Sequence, residues 1–317
     1  MSRPRDWAEL LRVSALFTVP GDALAGAAAS GLRPGARTAL AAGASLCLYE
    51  AGMALNDWAD QQEDAVERPH RPLPSGRITS GQALATAAGL TVAGVGLALA
   101  AGRRAALTAT ALAGTVWAYD LRLKHTPAGP AAMATARALD LLLGAVATAA
   151  SPSGTGSSGP AVRRALLPAA ALGAHTYALT AVSRTETRGG SPGRSLAALG
   201  ATAAIGALAG AGGRPRGRGT SHGPGVVGGG RFGAVSPRGS VRVALAGAYV
   251  ATAARPFLHA ALNPSPALTQ QAVGGGIRAM IPLQAALAAR SGALAPAALL
   301  TGLVPVARRI ARKVSPT

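Results

Sequence analysis

Carboxylate side chains are concentrated in one short stretch of this sequence. Six of the twelve acidic residues lie between Glu50 and Glu67. Because an α-helix turns about 100° per residue, Asp57, Asp60 and Asp64 project from one face of a helix over this stretch. Three carboxylates on one face repel one another unless they share a cation. The spacing therefore predicts a site for a divalent cation.

A basic run follows the acids directly. Residues 68–77 read Arg-Pro-His-Arg-Pro-Leu-Pro-Ser-Gly-Arg, and the three prolines end the helix and turn the chain back toward the carboxylates. Mg²⁺ binds a few carboxylates together with phosphate oxygens, and guanidinium groups donate paired hydrogen bonds to phosphate. Two interpretations stay open at this point. The segment is either a receptor for a diphosphate or a solvated acidic helix end followed by a basic anchoring loop.

Composition indicates that these residues sit in a membrane protein. Mean hydropathy is +0.30, 14% of the residues are charged and 49% are hydrophobic, and the apolar residues form long blocks. A helix needs about 20 mostly apolar residues to cross a bilayer. We therefore expect an all-α fold, a polytopic membrane helical bundle of nine or ten transmembrane helices. The blocks lie near 10–32, 38–57, 81–102, 104–121, 130–150, 162–183, 194–212, 241–262, 269–290 and 293–308.

We expect residues 1–317 to form a single integral-membrane domain. Its spans are rich in alanine and glycine, which favours close packing of helices. A segment rich in glycine and arginine at about 213–240 interrupts the apolar blocks, and we expect it to be a flexible loop.

Basic residues set the expected orientation of the chain. The net charge is +19, and most of it lies between the apolar blocks. Cytoplasmic loops carry more Lys and Arg than the opposite loops. With the N-terminus inside, the connections at 68–77, 122–124 and 184–194 follow this rule, so we expect the aspartate motif on the cytoplasmic side of the cell membrane. The expected partners are the lipid bilayer and an anionic substrate, and not nucleic acid.

Several other kinds of chemistry lack support in the sequence. Cys47 is the single cysteine, so there is no disulfide framework. None of the five histidines pairs with another at i, i+4 or clusters with cysteine, which leaves zinc and haem sites unsupported. The sequence also contains no glycine-rich phosphate loop and no Ser/His/Asp arrangement.

Two longer strings resemble a known family. The pattern Asn-Asp-x-x-Asp-x-x-x-Asp at 56–64, followed by Arg-Pro-x-Arg-Pro-Leu-Pro-Ser-Gly at 68–76, closely resembles the first aspartate-rich motif of UbiA-type intramembrane prenyltransferases. The string Tyr-Asp-Leu-Arg-Leu-Lys at 119–124 resembles the segment after helix four of that family. The strings at 126–133 and 137–140 look most like its EboC-like branch.

The resemblance implies a bundle with a lateral, lipid-accessible cavity that transfers a prenyl group. The donor would be a prenyl diphosphate bound through Mg²⁺, and the acceptor a small molecule that the resemblance does not specify. The implied metal ligands are Asp57, Asp60 and Asp64, which with Lys124 are also the implied catalytic residues. The implied substrate-binding residues of this region are Asn56, Arg68, Arg71 and Lys124.

The second acidic motif of the family is depleted in this chain. Members usually carry several aspartates after helix six, whereas the matching stretch at 175–186 keeps Glu186 as its one acid. Thr176 and Ser183 occupy positions where the family often has aspartate. We expect Glu186 to be the remaining ligand of a second metal that is weakly held or absent. We further expect Arg184 to bind phosphate and to replace part of that metal's charge.

Polar residues inside the spans have two open interpretations each. A charged side chain near the bilayer centre costs about 2–3 kcal/mol on insertion scales, so Glu50 faces a cavity or a partner. It either orients or deprotonates an acceptor or makes a structural hydrogen bond. Tyr177 either contacts substrate, with its ring shielding a cation, or anchors the helix at the interface. Arg137 and Asp140, one turn apart, are expected to pair with each other in a structural role, and a contact with substrate is the alternative.

Two other functions compete with prenyl transfer. CDP-alcohol phosphotransferases also gather aspartates around a metal in a membrane helix, but their motif opens with Asp-Gly and Ala-Arg pairs that this segment lacks. A non-catalytic carrier, built on a degenerate prenyltransferase fold, would bind a polyprenyl lipid or help to export a metabolite. The depleted second motif favours this carrier. Mg²⁺-dependent release of diphosphate separates the enzyme from the carrier.

Overall fold

The structure is a computed structural model that describes residues 3–12, 19–150, 158–186, 189–211 and 237–302, and all regular elements of these residues are helical. This confirms the expected all-α fold. The helices are α1 Pro4–Leu10, α2 Val19–Ser30, α3 Ala36–Ala59, α4 Gln61–Glu67, α5 Ser80–Ala101, α6 Arg103–Ala118, α7 Gly129–Ala149, α8 Ser158–Ser183, α9 Pro192–Gly210, α10 Pro237–Leu262 and α11 Pro266–Arg290. A further helical segment follows at 294–302.

Five of the described helices are long and apolar enough to cross a membrane. They are α3, α5, α7, α11 and the part of α8 at Gly159–Ser183. The other apolar blocks also form helices close to the expected positions, but α2 has 12 residues and α6 has 16. The count of nine or ten transmembrane helices therefore stays a prediction.

Two expected segments fall partly outside the described residues. The first apolar block, 10–32, contains the end of α1 and the whole of α2, and residues 13–18 between them are not described. Residues 213–236 of the loop expected at about 213–240 are outside the described residues. Positions 237–240 belong to α10.

Small residues bring the helices close together. A Cβ atom added at Gly26 would lie 1.9 Å from the carbonyl oxygen of Leu141, and one added at Gly144 would lie 2.3 Å from that of Ala23. Real Cβ atoms essentially never come within 3.0 Å of another heavy atom. The backbones of α2 and α7 are therefore in direct contact, which only glycine permits.

The connection between α6 and α7 contains a π-helical turn, Tyr119–Leu123. In this turn the amide of Lys124 donates to the carbonyl of Tyr119 at 2.8 Å. A π-helical turn carries one residue more than an α-helical turn and is frequent at functional sites. The turn contacts α3 and α7, and Asp120 within it is buried.

The short helix α1 is fastened to the basic loop. Leu10 and Ile78 are buried in one hydrophobic cluster. Nη1 of Arg77 lies 2.8 Å from Asp6 and 2.7 Å from Glu9. An apolar contact and a forked ion pair together hold α1 against residues 68–78.

Candidate active site

The acidic motif spans a break between two helices. α3 ends at Ala59, Asp60 follows with φ −90° and ψ 7°, and α4 begins at Gln61. Asp57 and Asp64 on either side of the break are buried, whereas Asp60 is half-buried. The break therefore sends the three carboxylates in two directions instead of along one straight face.

Asp57 and Asp64 meet at one guanidinium group. Nη1 of Arg71 lies 2.6 Å from Oδ2 of Asp64 and 3.5 Å from Oδ1 of Asp57. Nη1 of Arg68 lies 3.4 Å from the other oxygen of Asp64. The proline-rich loop thus returns to the carboxylates, as its sequence predicts, and Arg71 lies between two buried acids.

Asp60 faces the π-helical turn. Its carboxylate pairs with the ammonium group of Lys124, the first residue after that turn. Nδ2 of Asn56 donates to Oδ1 of Asp120 at 3.0 Å. The turn between α6 and α7 therefore supplies one cation and one carboxylate to the end of α3.

Arg12 is a further residue at this site, and the sequence analysis assigned it no role. Its Nη2 lies 3.0 Å from Oδ1 of Asp57. Its backbone φ is +48°, a left-handed conformation that is uncommon for residues other than glycine and that is often found at functional sites. The sequence offered one sign of this role, namely that Arg12 is a single arginine inside the first apolar block. Arg12 forms no motif with its neighbours in sequence.

A cavity of about 420 Å³ begins beside these residues, within the range of about 300–1,000 Å³ that is usual for ligand sites. Arg12, Asn56 and Asp120 line the end next to the acidic motif. Ser45 and Asp140 line the opposite end. The wall between them is largely apolar and includes Leu48, Met53, Leu112, Val116, Leu179 and Ile277.

The acidic motif beside the cavity carries the donor atoms that a hard divalent cation prefers. Asp57, Asp60 and Asp64 offer carboxylate oxygens, which Mg²⁺ prefers. Two of these carboxylates are buried with no more than 6% of the side chain exposed, and both are ion-paired with arginines, so a metal ion bound here competes with those guanidinium groups. Among the described residues, the group whose ligand atoms lie within 4.8 Å of one another is Asp60, Glu63 and His125, and it includes neither Asp57 nor Asp64. The sequence spacing gave no indication of His125 at this position.

Comparison with known sequences assigns the family. The profile of the UbiA prenyltransferase family matches residues 14–212, which is more than half of the chain. The chain belongs to the UbiA prenyltransferase family. With its long apolar helices, this family member is an integral membrane protein. The finer expectation of an EboC-like branch stays a prediction.

Named relatives of this UbiA family member match parts of it. The digeranylgeranylglyceryl phosphate synthase of Methanopyrus kandleri is 38% identical over 115 residues, which cover 36% of this chain and 41% of that protein. The synthase of the same name from Ignicoccus hospitalis is 34% identical over 146 residues, which cover 46% of this chain and 48% of that protein. The chain thus spans less than half the length of these relatives.

Solved structures show the same fold. A structure of digeranylgeranylglyceryl phosphate synthase in membranes has a TM-score of 0.58 at 17% identity and covers 92% of this chain and 99% of that one. The apo structure of a UbiA homologue from Aeropyrum pernix K1 also has a TM-score of 0.58, at 21% identity, and covers 83% of this chain and 96% of that one. At these identities the likeness concerns the fold alone.

The region of the second UbiA motif contributes little charge to the site. The hydroxyl groups of Thr176 and Ser183 each donate to a carbonyl of their own helix, α8, at 3.0 Å. Glu186 is half-buried just after α8, and it is not among the residues that line the cavity. Its role as a metal ligand stays a prediction.

Arg184 holds the loop that follows the π-helical turn. Its guanidinium group donates to the carbonyl oxygen of Thr126 and, at 3.3 Å, to that of His125. This loop follows Lys124, the residue that pairs with Asp60. Direct phosphate binding by Arg184 stays a prediction.

Glu50 and Tyr177 lie away from the acidic motif. Glu50 is buried in α3, and among the described residues its carboxylate oxygens have no hydrogen-bond partner. Tyr177 is 49% exposed on α8. Neither residue is among those that line the cavity. Asn56 is the one expected substrate-binding residue that lines the cavity, and among the described residues neither Glu50 nor Tyr177 has a hydrogen bond or ion pair to the others.

Arg137 pairs across helices instead of along its own helix. Its Nε lies 2.9 Å from Oδ2 of Asp22 on α2. We expected Arg137 to pair with Asp140, one turn away on α7. Among the described residues, the ion pair that Arg137 forms is the one with Asp22 instead. The close approach of α2 and α7 explains the difference, because it brings Asp22 within reach.

Proposed function

We propose that this protein transfers a prenyl group from an isoprenoid diphosphate to a small acceptor within the membrane, with Mg²⁺ as its cofactor. We place the acidic motif on the cytoplasmic side of the cell membrane. The supporting observation is that the ion-paired carboxylates and cations of the motif adjoin, through Arg12 and Asn56, one end of a cavity whose middle is apolar. A diphosphate with a hydrocarbon tail requires these two environments side by side. The names of the partial relatives support a prenyl diphosphate donor.

Asp57, Asp60 and Asp64 would hold the metal ion. When bound, Mg²⁺ supplies positive charge where negative charge develops on the leaving diphosphate.

The cationic side chains would bind the diphosphate itself. Arg71 and Lys124 contact the acidic motif directly, so a diphosphate at that motif lies within their reach. When the bond between the allylic carbon and the phosphate oxygen breaks, its electron pair leaves with the oxygen. The two cations stabilise the negative charge that results, because they are already in place before the bond breaks.

The apolar wall would protect the allylic cation that remains. Met53, Val116 and Leu179 line the cavity beyond the polar mouth. Exclusion of water there favours capture by the acceptor over capture by water. The nucleophilic atom of the acceptor uses its lone pair to form the new bond to carbon and releases a proton, which the departing diphosphate can take.

Release of diphosphate by the purified full chain in nanodiscs tests this function. We expect Mg²⁺-dependent release from geranylgeranyl diphosphate or a longer donor, and loss of release in Asp60→Ala. Glu67→Ala is the matched control, because Glu67 is an exposed acid at the end of α4 and should release diphosphate at the rate of the unaltered protein. Equal release from Asp60→Ala and Glu67→Ala would contradict the assignment of the motif.

A carrier function is the second candidate. It is favoured by the hydroxyl groups of Thr176 and Ser183, which bond within α8 where the family often has carboxylates. A carrier would bind geranylgeranyl diphosphate without releasing diphosphate from any donor. Extracted-lipid mass spectrometry of cells with and without the gene provides the independent check, because an enzyme leaves a prenylated product.

A further inference from the structure

The end of the cavity away from the acidic motif is polar. Ser45, Arg137 and Asp140 line it. Ser45 precedes Asn56 by about three turns of α3, or about 16 Å at 1.5 Å per residue. Asp140 is 7% exposed and Ser45 is 2% exposed, so these polar atoms are shielded from bulk water.

The carboxylates of this region outnumber its cations. Asp22 has a partner on each oxygen, because Arg137 lies 2.9 Å from Oδ2 and Nε2 of Gln284 donates to Oδ1 at 2.6 Å. Asp140 interacts with the side chains of Asp22 and Ser45, and among the described residues its Oδ1 is the oxygen left without a hydrogen-bond partner. A buried carboxylate oxygen without a donor is costly and uncommon. It is therefore a position where a ligand's donor group would be stabilised.

We propose that this end of the cavity binds a hydrogen-bond donor of the acceptor, an ammonium or a hydroxyl group, through Asp140. A carboxyl oxygen that carries no proton accepts a hydrogen bond from such a group. Arg137 is ion-paired with Asp22 through Nε, so its positive charge is already partly balanced within the protein. The site consequently selects against acceptors that carry an acid at this end.

The position of Asp140 also constrains the shape of the acceptor. The proposed diphosphate site is at the opposite end of the cavity, and the apolar wall lies between the two. An acceptor anchored at Asp140 has to extend along that wall to reach the allylic carbon. It therefore carries its anchoring group and its nucleophilic atom at opposite ends of a small, partly apolar molecule. This inference rests on the proposed function for the identity of the second substrate.

Three probes of similar size test the binding chemistry: benzylamine, benzyl alcohol and benzoate. Their dissociation constants are measured by saturation-transfer NMR on the full chain in nanodiscs, without donor. We expect benzylamine or benzyl alcohol to bind at least about tenfold more tightly than benzoate, because the first two donate a hydrogen bond to the carboxyl oxygen and benzoate does not. Tighter binding of the amine identifies an ammonium ligand, and equal or tighter binding of the alcohol identifies a hydroxyl ligand.

Substitutions at position 140 attribute the binding to one side chain. Asp140→Asn replaces an acceptor oxygen by a donor amide and should weaken the preferred probe about tenfold or more, whereas Asp140→Glu keeps the carboxylate and should retain most of the affinity. Glu67→Gln, on the exposed end of α4, should change nothing. Benzoate binding as tightly as the other probes, or no loss in a folded Asp140→Asn protein, would overturn the proposal. If Asp140→Asn does not fold, the order of the three probes on the unaltered protein decides.

Failure of this inference is distinguishable from failure of the proposed function. Probe binding needs neither Mg²⁺ nor turnover, so a protein that binds benzylamine and never releases diphosphate contradicts the enzyme alone. A protein that releases diphosphate but binds benzoate most tightly contradicts the inference alone.

Discussion

Removal of the Arg71 side chain is the sharpest test of the acidic site. Arg71 is 21% exposed and contacts two carboxylates that are 2% and 6% exposed. Removal of one partner from a buried ion pair costs about 3–5 kcal/mol. Asp57 keeps Arg12 and Asp64 keeps Arg68, so we expect Arg71→Ala to cost less, about 2 kcal/mol.

Arg68→Ala is the matched control for this change. Arg68 lies on the same loop, but it is 46% exposed and 3.4 Å from Asp64. Exposed pairs contribute about 0.2–1 kcal/mol, so this variant should lose much less stability. Both variants remove one positive charge and one guanidinium group, which leaves burial and distance as the main difference between them.

The assay is unfolding of the purified protein in detergent, followed by a double-mutant cycle. Arg71→Ala, Asp64→Asn and the double variant give the coupling between the two side chains. We expect a coupling above about 1 kcal/mol for this pair and a smaller one for Arg68 with Asp64. Equal losses in the two arginine variants, or a coupling near zero for Arg71, would refute the bridged arrangement.

Two further predictions concern the packing and the N-terminal helix. Gly144→Ala places a methyl group 2.3 Å from a backbone carbonyl oxygen and should lower the free energy of unfolding by about 1–3 kcal/mol, measured by thermal unfolding. Gly89→Ala is the control, because a Cβ there has nothing within 4 Å, and it should be neutral or stabilising by about 0.5–1 kcal/mol. Equal behaviour of the two variants would contradict the contact of α2 with α7. Arg77→Gln should speed amide hydrogen exchange in α1 and leave α5 unchanged. The Arg3 amide and the Arg77 guanidinium hold the pKa of Asp6 below its usual 3.8. The contribution of the Asp6–Arg77 pair to the stability of α1 is therefore complete above about pH 4 and is lost as the pH falls through the lowered pKa. Amide hydrogen exchange in α1, corrected for its intrinsic pH dependence, should rise only in that acidic range.

Local chemistry could be predicted from sequence where the partners are close along the chain. Arg71 and Asp64 are neighbours in sequence, and the prolines between them leave few ways for the loop to run. The break at Asp60 could not be predicted in this way, because helix periodicity assumes a straight helix. Whether Asp60 meets a cation from another segment depends on how α3 packs against the π-helical turn.

Contacts across long sequence separations needed the structure. Arg12 with Asp57, and Gln284 with Asp22, join residues whose helices meet only after the bundle has packed. Alanine-rich spans indicate that helices approach closely, but they do not indicate which faces meet. The polar end of the cavity was therefore outside the reach of the sequence, although Asp140 and Arg137 were visible in it as charged residues inside an apolar block.

The π-helical turn makes the chemistry of this fold sensitive to the length of one connection. Deletion of a single residue within Tyr119–Leu123 would rotate the following chain by about 100° and carry the Lys124 ammonium away from the Asp60 carboxylate. The apolar helices on either side would keep their composition, so the variant could still insert and pack. The position of Lys124 relative to Asp60 therefore depends on the number of residues in this one turn.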